Sequence, residues 1–116
     1  FAIVQHGSQS NHGFEMDNDE DDNDNEMPRS SPTIWNATIV GQGQDGQQGL
    51  EFAEGTSGGL FNSIVAGFGG DANNGPCIDI TQDATIAQAN EGNLAIDNVV
   101  YANCGSNGFV RAVPSE

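Results

Sequence analysis

Ten residues, Asp17 to Glu26, hold seven carboxylates. Hard cations favour dense oxygen ligands, so the segment is a candidate calcium site with Asp17, Asp19, Asp21, Asp22 and Asp24 as ligands. Its spacing is not that of an EF-hand. Counted from Asp17, the glycine required at the sixth position is Asp22 and the closing glutamate at the twelfth is Pro28; counted from Asp19, those positions hold Asp24 and Ser30. The segment reads as a solvated loop or as an irregular calcium site, because like charges stay extended unless a cation gathers them. His6 and His12 flank a Gly-Ser-Gln-Ser-Asn turn. They would share a metal only with Glu15 or Asp17, and with no second convergent pair they read as exposed turn histidines.

Other familiar chemistries are missing from the residues. There is no Gly-x-Ser-x-Gly elbow and no phosphate loop, and Gly41-Gln-Gly-Gln-Asp-Gly46 lacks the lysine and following helix of a nucleotide site. Asn36-Ala-Thr38 matches a glycosylation acceptor but falls inside a strand-like run. The net charge is −15, from 17 acidic residues against Arg29 and Arg111, with no lysine. Such a surface cannot release counterions from nucleic acid, and anionic lipid repels it. It suits a saline or calcium-containing exterior, or bound cations, that screen self-repulsion. No apolar run approaches the ~20 residues of a membrane span, so membrane insertion is not expected.

The elements that position these groups are strands. In 116 residues, enough for one domain, Gly numbers 16 and Asn 13. Short β-rich runs (Phe1 to Val4, Thr33 to Val40, Leu50 to Phe52, Leu60 to Phe68, Cys77 to Ile80, Leu94 to Tyr101, Phe109 to Val113) alternate with Gly, Asn, Asp and Ser clusters that turn the chain. Only Asp83 to Asn90 has fair helix formers, and it is short and weakly periodic, so no convincing helix is expected. The chain opens inside an apparent strand. That reads as a processed or excised piece of something longer, the alternative being a mature N-terminus tied into a sheet.

Three runs align on an asparagine: Ile34-Trp-Asn36-Ala-Thr-Ile-Val40, Leu60-Phe-Asn62-Ser-Ile-Val-Ala66 and Ile96-Asp-Asn98-Val-Val-Tyr-Ala102. The periods are 26 and 36 residues, and the Gly/Asn-rich segment 67–76 reads as the extra ten. Repeats of this length point to a solenoid whose stacked rungs complete one another's core. The expected fold is all-β, a right-handed parallel β-helix of three to four rungs spanning 1–116, with an acidic loop at 17–27. A ladder of Asn36, Asn62 and Asn98 could exchange amide hydrogen bonds between rungs ~4.8 Å apart; three unrelated turn asparagines in a sandwich are the alternative. Cys77 and Cys104 are 27 apart, close to one period, so they are expected to form a disulfide in an exported protein, against two buried thiols. Trp35 and Phe61 precede the Asn column, with Asp97 in the third rung. Facing outward they make a surface aromatic platform for a sugar ring or a protein; facing inward, the reading preferred here, they are core.

The run Ser10-Asn-His-Gly-Phe-Glu-Met-Asp-Asn18 and the run Pro28-Arg-Ser-Ser-Pro-Thr-Ile-Trp-Asn-Ala-Thr-Ile-Val-Gly41, with Leu60 to Val65 after them, resemble a group of large secreted β-helix proteins of marine and gliding bacteria. Their pattern is a Gly-Phe/Ile-Glu-x-Asp-Asn rung, a Pro-Arg-Thr-Asn-Pro link and an Ile-x-Asn-x-Thr-Ile-Ile-Gly strand. The likeness covers about Phe1 to Ala66; Ser31 departs from the usual Asn, and the upstream half of that helix is missing. The resemblance implies a bacterial surface or extracellular location and members without assigned activity.

β-Helices also carry polysaccharide lyases and glycosidases, which need a base beside a calcium site or two carboxylates at a fixed separation. The only basic candidates are Arg29 and Arg111, and neither shares an obvious strand face with an acidic cluster. Glu51, Glu54, Asp79, Asp83 and Asp97 could pair, but outward charges that keep a solenoid soluble are the plainer reading. The expected function is a non-catalytic extracellular module for structure, adhesion or self-association, stabilised by calcium if by any cofactor. Its partners would be neighbouring rungs or other copies, as a homo-oligomer or filament. A polysaccharide-active module is the alternative.

Overall fold

Each apolar run has one face to bury and ends at a residue able to turn the chain, a pattern that gives short strands. The computed structural model describes residues 2–5, 12–18, 23–43, 47–68, 75–105 and 109–115, with side chains from residue 12 onward. In chain order the elements are β1 (Ala2–Gln5), β2 (His12–Met16), β3 (Thr33–Trp35), β4 (Ala37–Val40), β5 (Gln48–Phe52), β6 (Gly58–Phe61), β7 (Ile64–Ala66), β8 (Ile78–Thr81), α1 (Asp83–Asn90), β9 (Leu94–Asp97), β10 (Val100–Ala102) and β11 (Val110–Val113). All pairings are parallel. Sheet A contains β1, β4, β7 and β10; sheet B contains β2, β5, β8 and β11; sheet C contains β3, β6 and β9. The chain visits A, B and C in that order throughout. The architecture is therefore a parallel β-helix of three coils and two further strands.

The three sheets enclose one core. Ile39 and Val65 fill it from sheet A, Leu50, Phe52 and Ile78 from sheet B, and Leu60 from sheet C, with Phe68 among them. Gly49 and Cys77 are adjacent in the register of sheet B. A Cβ at Gly49 would lie 2.2 Å from the Cys77 carbonyl and 2.5 Å from Val65, so only glycine fits there.

Asn36, Asn62 and Asn98 stand in register at the corner between sheets C and A, at φ 57°, 49° and 53°. Asparagine tolerates this left-handed conformation, which lets the chain turn between adjoining strands without a long loop. The Asn36 N–H donates to the Phe61 carbonyl at 3.1 Å and the Asn62 N–H to the Asp97 carbonyl at 3.1 Å, so the ladder runs through the corner. The three side chains are exposed. Among the described residues no amide of the column bonds to another, which corrects the expected side-chain ladder: asparagine is used here for its backbone.

Two further expectations are corrected. Asp83–Asn90 is a helix, packed on β8 and β9. It ends where Gly92, at φ 80°, donates to the Ala89 carbonyl and Asn93 to the Gln88 carbonyl, a Schellman closure. The ten extra residues of the longer period also lie mostly at this helix. Phe52 and Gly59 are seven residues apart, whereas their partners Ile80 and Ala95 are fifteen apart. Val40 and Leu50 are ten apart and their partners Ala66 and Ile78 twelve, so segment 67–76 holds only two of the extra residues. Phe68 in that segment is fully buried, a core residue within a Gly/Asn-rich stretch.

Candidate functional site

Alternation in sheet B turns Leu50, Phe52, Ile78 and Ile80 inward and leaves Glu15, Glu51, Asp79 and Arg111 in one outer column, each the register partner of the next. Arg111 therefore does share a strand face with acidic residues, contrary to the expectation from spacing. Its guanidinium grips Asp79 through two bonds, Nε to Oδ1 at 3.0 Å and Nη2 to Oδ2. Asp79 is 1% exposed, so the paired arginine is what makes its burial tolerable. The same bonds hold the Arg111 guanidinium even more firmly protonated than usual.

One coil along, His12 sits between two carboxylates. Its Nε2 is 2.7 Å from Glu51 Oε2 and its Nδ1 3.2 Å from Glu15 Oε2. The Thr81 hydroxyl is 3.1 Å from Glu51 Oε1 and 2.8 Å from Gln82 Oε1. The hydrogen bond to Glu51 raises the His12 pKa above its ordinary 6.5, against the opposing effect of partial burial, and the charges of Glu51 and Glu15 add to it. The same contact lowers Glu51 below its ordinary 4.5. Spacing had offered Glu15 or Asp17 as companions of His12; the fold brings in Glu15 and, from the next coil, Glu51. His6 lies outside the described residues.

The described ends of the acidic segment, 17–18 and 23–26, stand at the corner between sheets B and C, the corner that holds a tight turn at 53–57 in the next coil and α1 in the one after. Asp19, Asp21 and Asp22 lie outside the described residues, and Asp17 and Asp24 are half-buried. The described ends are folded by neutral and basic groups. The Asn18 amide donates to the carbonyls of Asp24 at 3.3 Å and Glu26 at 3.1 Å, and its Oδ1 accepts from the Ser30 N–H at 2.7 Å. Arg29 donates to the Asp24 carbonyl at 3.0 Å and to the Gly55 carbonyl. From the other side, Gln82 and Thr85 accept from the N–H groups of Glu54 and Gly55, each at 2.9 Å.

Trp35, Phe61 and Asp97 form an outer column on sheet C. Trp35 is 54% exposed and its ring stacks on Phe61 with centroids 4.4 Å apart. This corrects the preference for core aromatics: Ile34, Leu60 and Ile96, one residue earlier, take the inward positions. The charge of Asp97 in the same column was the signal that it faces water. Of the five carboxylates weighed as catalytic pairs, Glu51 and Asp79 share a face, whereas Glu54 and Asp83 stand at the corner between sheets B and C and Asp97 lies on sheet C. Cys77 and Cys104 are joined in a disulfide, with Cα atoms 5.3 Å apart, across the seam between sheets A and B.

A family model described as a pectate-lyase-like beta helix domain matches residues 1–111. The chain belongs to that family. For this β-helix domain, comparison with curated proteins and with solved structures gives no match. The parallel three-sheet coil accords with that membership.

Proposed function

We propose that this β-helix domain is a non-catalytic module of an exported or surface protein, serving structure, adhesion or self-association. The observation that carries the reading is the state of the charged column: His12 is engaged by Glu15 and Glu51, and Arg111 is committed to a buried Asp79. A general base must be free to take a proton from a substrate, and these groups are already occupied by one another. An exposed apolar row supports association: Val110 continues the inward column of Leu50 and Ile78 and is 44% exposed. A further coil or a second copy would extend the sheets and bury that column. The disulfide and the high negative charge support an extracellular or bacterial surface location of the kind the resemblance implies. Calcium is the cation we assign to the segment from Asp17 to Glu26, on its charge density alone.

Sedimentation at increasing concentration tests the association. The expected result is concentration-dependent growth in mass, abolished by Val110→Lys with the circular dichroism unchanged. A strictly monomeric chain at every concentration would count against it.

One observation favours a second reading, activity on a polysaccharide: Arg111 stands in a column of three carboxylates on a domain of pectate-lyase-like description. Incubation with polygalacturonate and calcium separates the two. Unsaturated products that vanish in Arg111→Ala would establish the second reading, and their absence supports the first.

A further inference from the structure

We infer that His12, Glu15 and Glu51 form a binding site for a divalent transition metal of the zinc class, bridging the first and second coils of sheet B. The inference goes beyond the proposed function and draws on the same His12, Glu15 and Glu51 whose mutual contact carries that reading; metal uptake tests the site, whereas association and action on polysaccharide test the function.

One imidazole nitrogen and one oxygen from each carboxylate lie within 4.8 Å of one another. Ligands about 2.0–2.2 Å from a tetrahedral ion stand about 3.3–3.6 Å from one another, so Glu51, 2.7 Å from Nε2, has to part slightly from it and Glu15, placed against Nδ1, has to swing to the same nitrogen. The freedom to do so lies in Glu15, whose side chain is 53% exposed, while His12 is only 11% exposed and held in place. Glu51 is oriented from behind. Thr81 sits against its Oε1, which leaves Oε2 directed at His12; such outer partners fix the direction of a ligating carboxylate.

The ligand set decides the class of ion. Calcium and magnesium take all-oxygen shells, whereas an imidazole with two carboxylates suits zinc and its neighbours, the fourth position being left to water or an external ligand on the open side of Glu15. The fold explains why the set was hidden: Glu15 and Glu51 are 36 residues apart in sequence and register partners in space. Two carboxylates balance the charge of one divalent ion. The third carboxylate of the column, Asp79, is occupied by Arg111 and takes no part.

Cobalt(II), whose visible absorption reports its ligands, and zinc by titration calorimetry are the probes, each added alone to the full chain. One equivalent of tight binding is expected, with a cobalt spectrum of low coordination number that zinc displaces. His12→Gln should abolish that spectrum, and Glu15→Gln, at an exposed position where misfolding is not a concern, should weaken binding about tenfold or more. A combined Asp19→Asn, Asp21→Asn and Asp22→Asn variant should leave the spectrum unchanged. The inference is overturned if cobalt binds equally well to His12→Gln and Glu15→Gln, if the triple variant removes binding and so assigns the ion to the acidic segment, or if the intact chain takes up no metal.

Discussion

Sheets A and B are built on the same parallel ladder, yet one presents Thr38, Ile64 and Val100 in an outer column where the other presents Glu15, Glu51, Asp79 and Arg111. On sheet A the backbone bonds and the inward Ile39 and Val65 hold the coils, and the outer Ile64 and Val100 are exposed. On sheet B the outer side chains bond across coils as well: Glu51 to His12, and Arg111 to Asp79. The difference teaches that the two faces are fastened differently. Sheet A is held from inside, and sheet B is latched on both sides.

The disulfide is the seam between those faces, and its removal should have the largest effect. Cys77 precedes β8 of sheet B and Cys104 follows β10 of sheet A. Closing a loop of 27 residues restricts the unfolded chain, and on that chain-entropy argument a Cys77→Ser, Cys104→Ser variant should lose about 3–4 kcal/mol. Urea denaturation measures it. A loss below about 1 kcal/mol would mean that the sheets hold the seam without the crosslink.

Next in size is the latch itself. Arg111→Ala leaves Asp79 buried without its partner, which should cost about 3 kcal/mol, the lower end for a broken buried pair because the guanidinium is partly exposed. Asp79→Asn in the Arg111→Ala background should recover part of that loss. If both single and double variants were as stable as the parent, sheet B would be no more latched than sheet A.

How much of this was legible follows from what repeats regularly. The Asn column was readable because Asn36, Asn62 and Asn98 each sit at the same left-handed corner with aliphatic neighbours at fixed offsets. The latch was not. Its members are spaced 36, 28 and 32 residues apart, since each interval crosses loops of different length, and no fixed period links Glu15, Glu51, Asp79 and Arg111. The helix was discounted because Thr85 and Gln88 are its buried residues and an apolar stripe is missing. Gly92, just past its end, was the signal that could have found it. The surface position of Trp35 could have been read from Asp97 in the same column, whereas its stacking on Phe61 needed the register.

Sheet B should also titrate where sheet A does not. In the metal-free protein His12 has a raised pKa, so its contribution to stability is complete below the unfolded value of about 6.5 and is lost as pH rises through the higher folded value. Glu51 has a lowered pKa, so its contribution is present above about 4.5 and is lost as pH falls through the folded value. Together they predict a stability maximum between those limits, set by one contact. Melting curves across pH check it: His12→Gln should flatten the alkaline side, and an unaltered profile would show that the contact is open in solution.

The smallest effect belongs to sheet A, and it is the control that gives the others meaning. Ile64 and Val100 are exposed although β-branched, and they are register partners on an outer face whose described residues carry no charge. Replacing them by threonine keeps the branched Cβ that suits a strand and removes little buried surface. Ile64→Thr and Val100→Thr should each change stability by no more than about 0.5 kcal/mol, the range of ordinary surface substitutions. A loss of 2 kcal/mol or more, on the order of a buried branched side chain, would mean that this face is covered in solution by another surface. A repeat at tenfold lower concentration identifies a second copy as the cover, because stability gained from association falls with dilution.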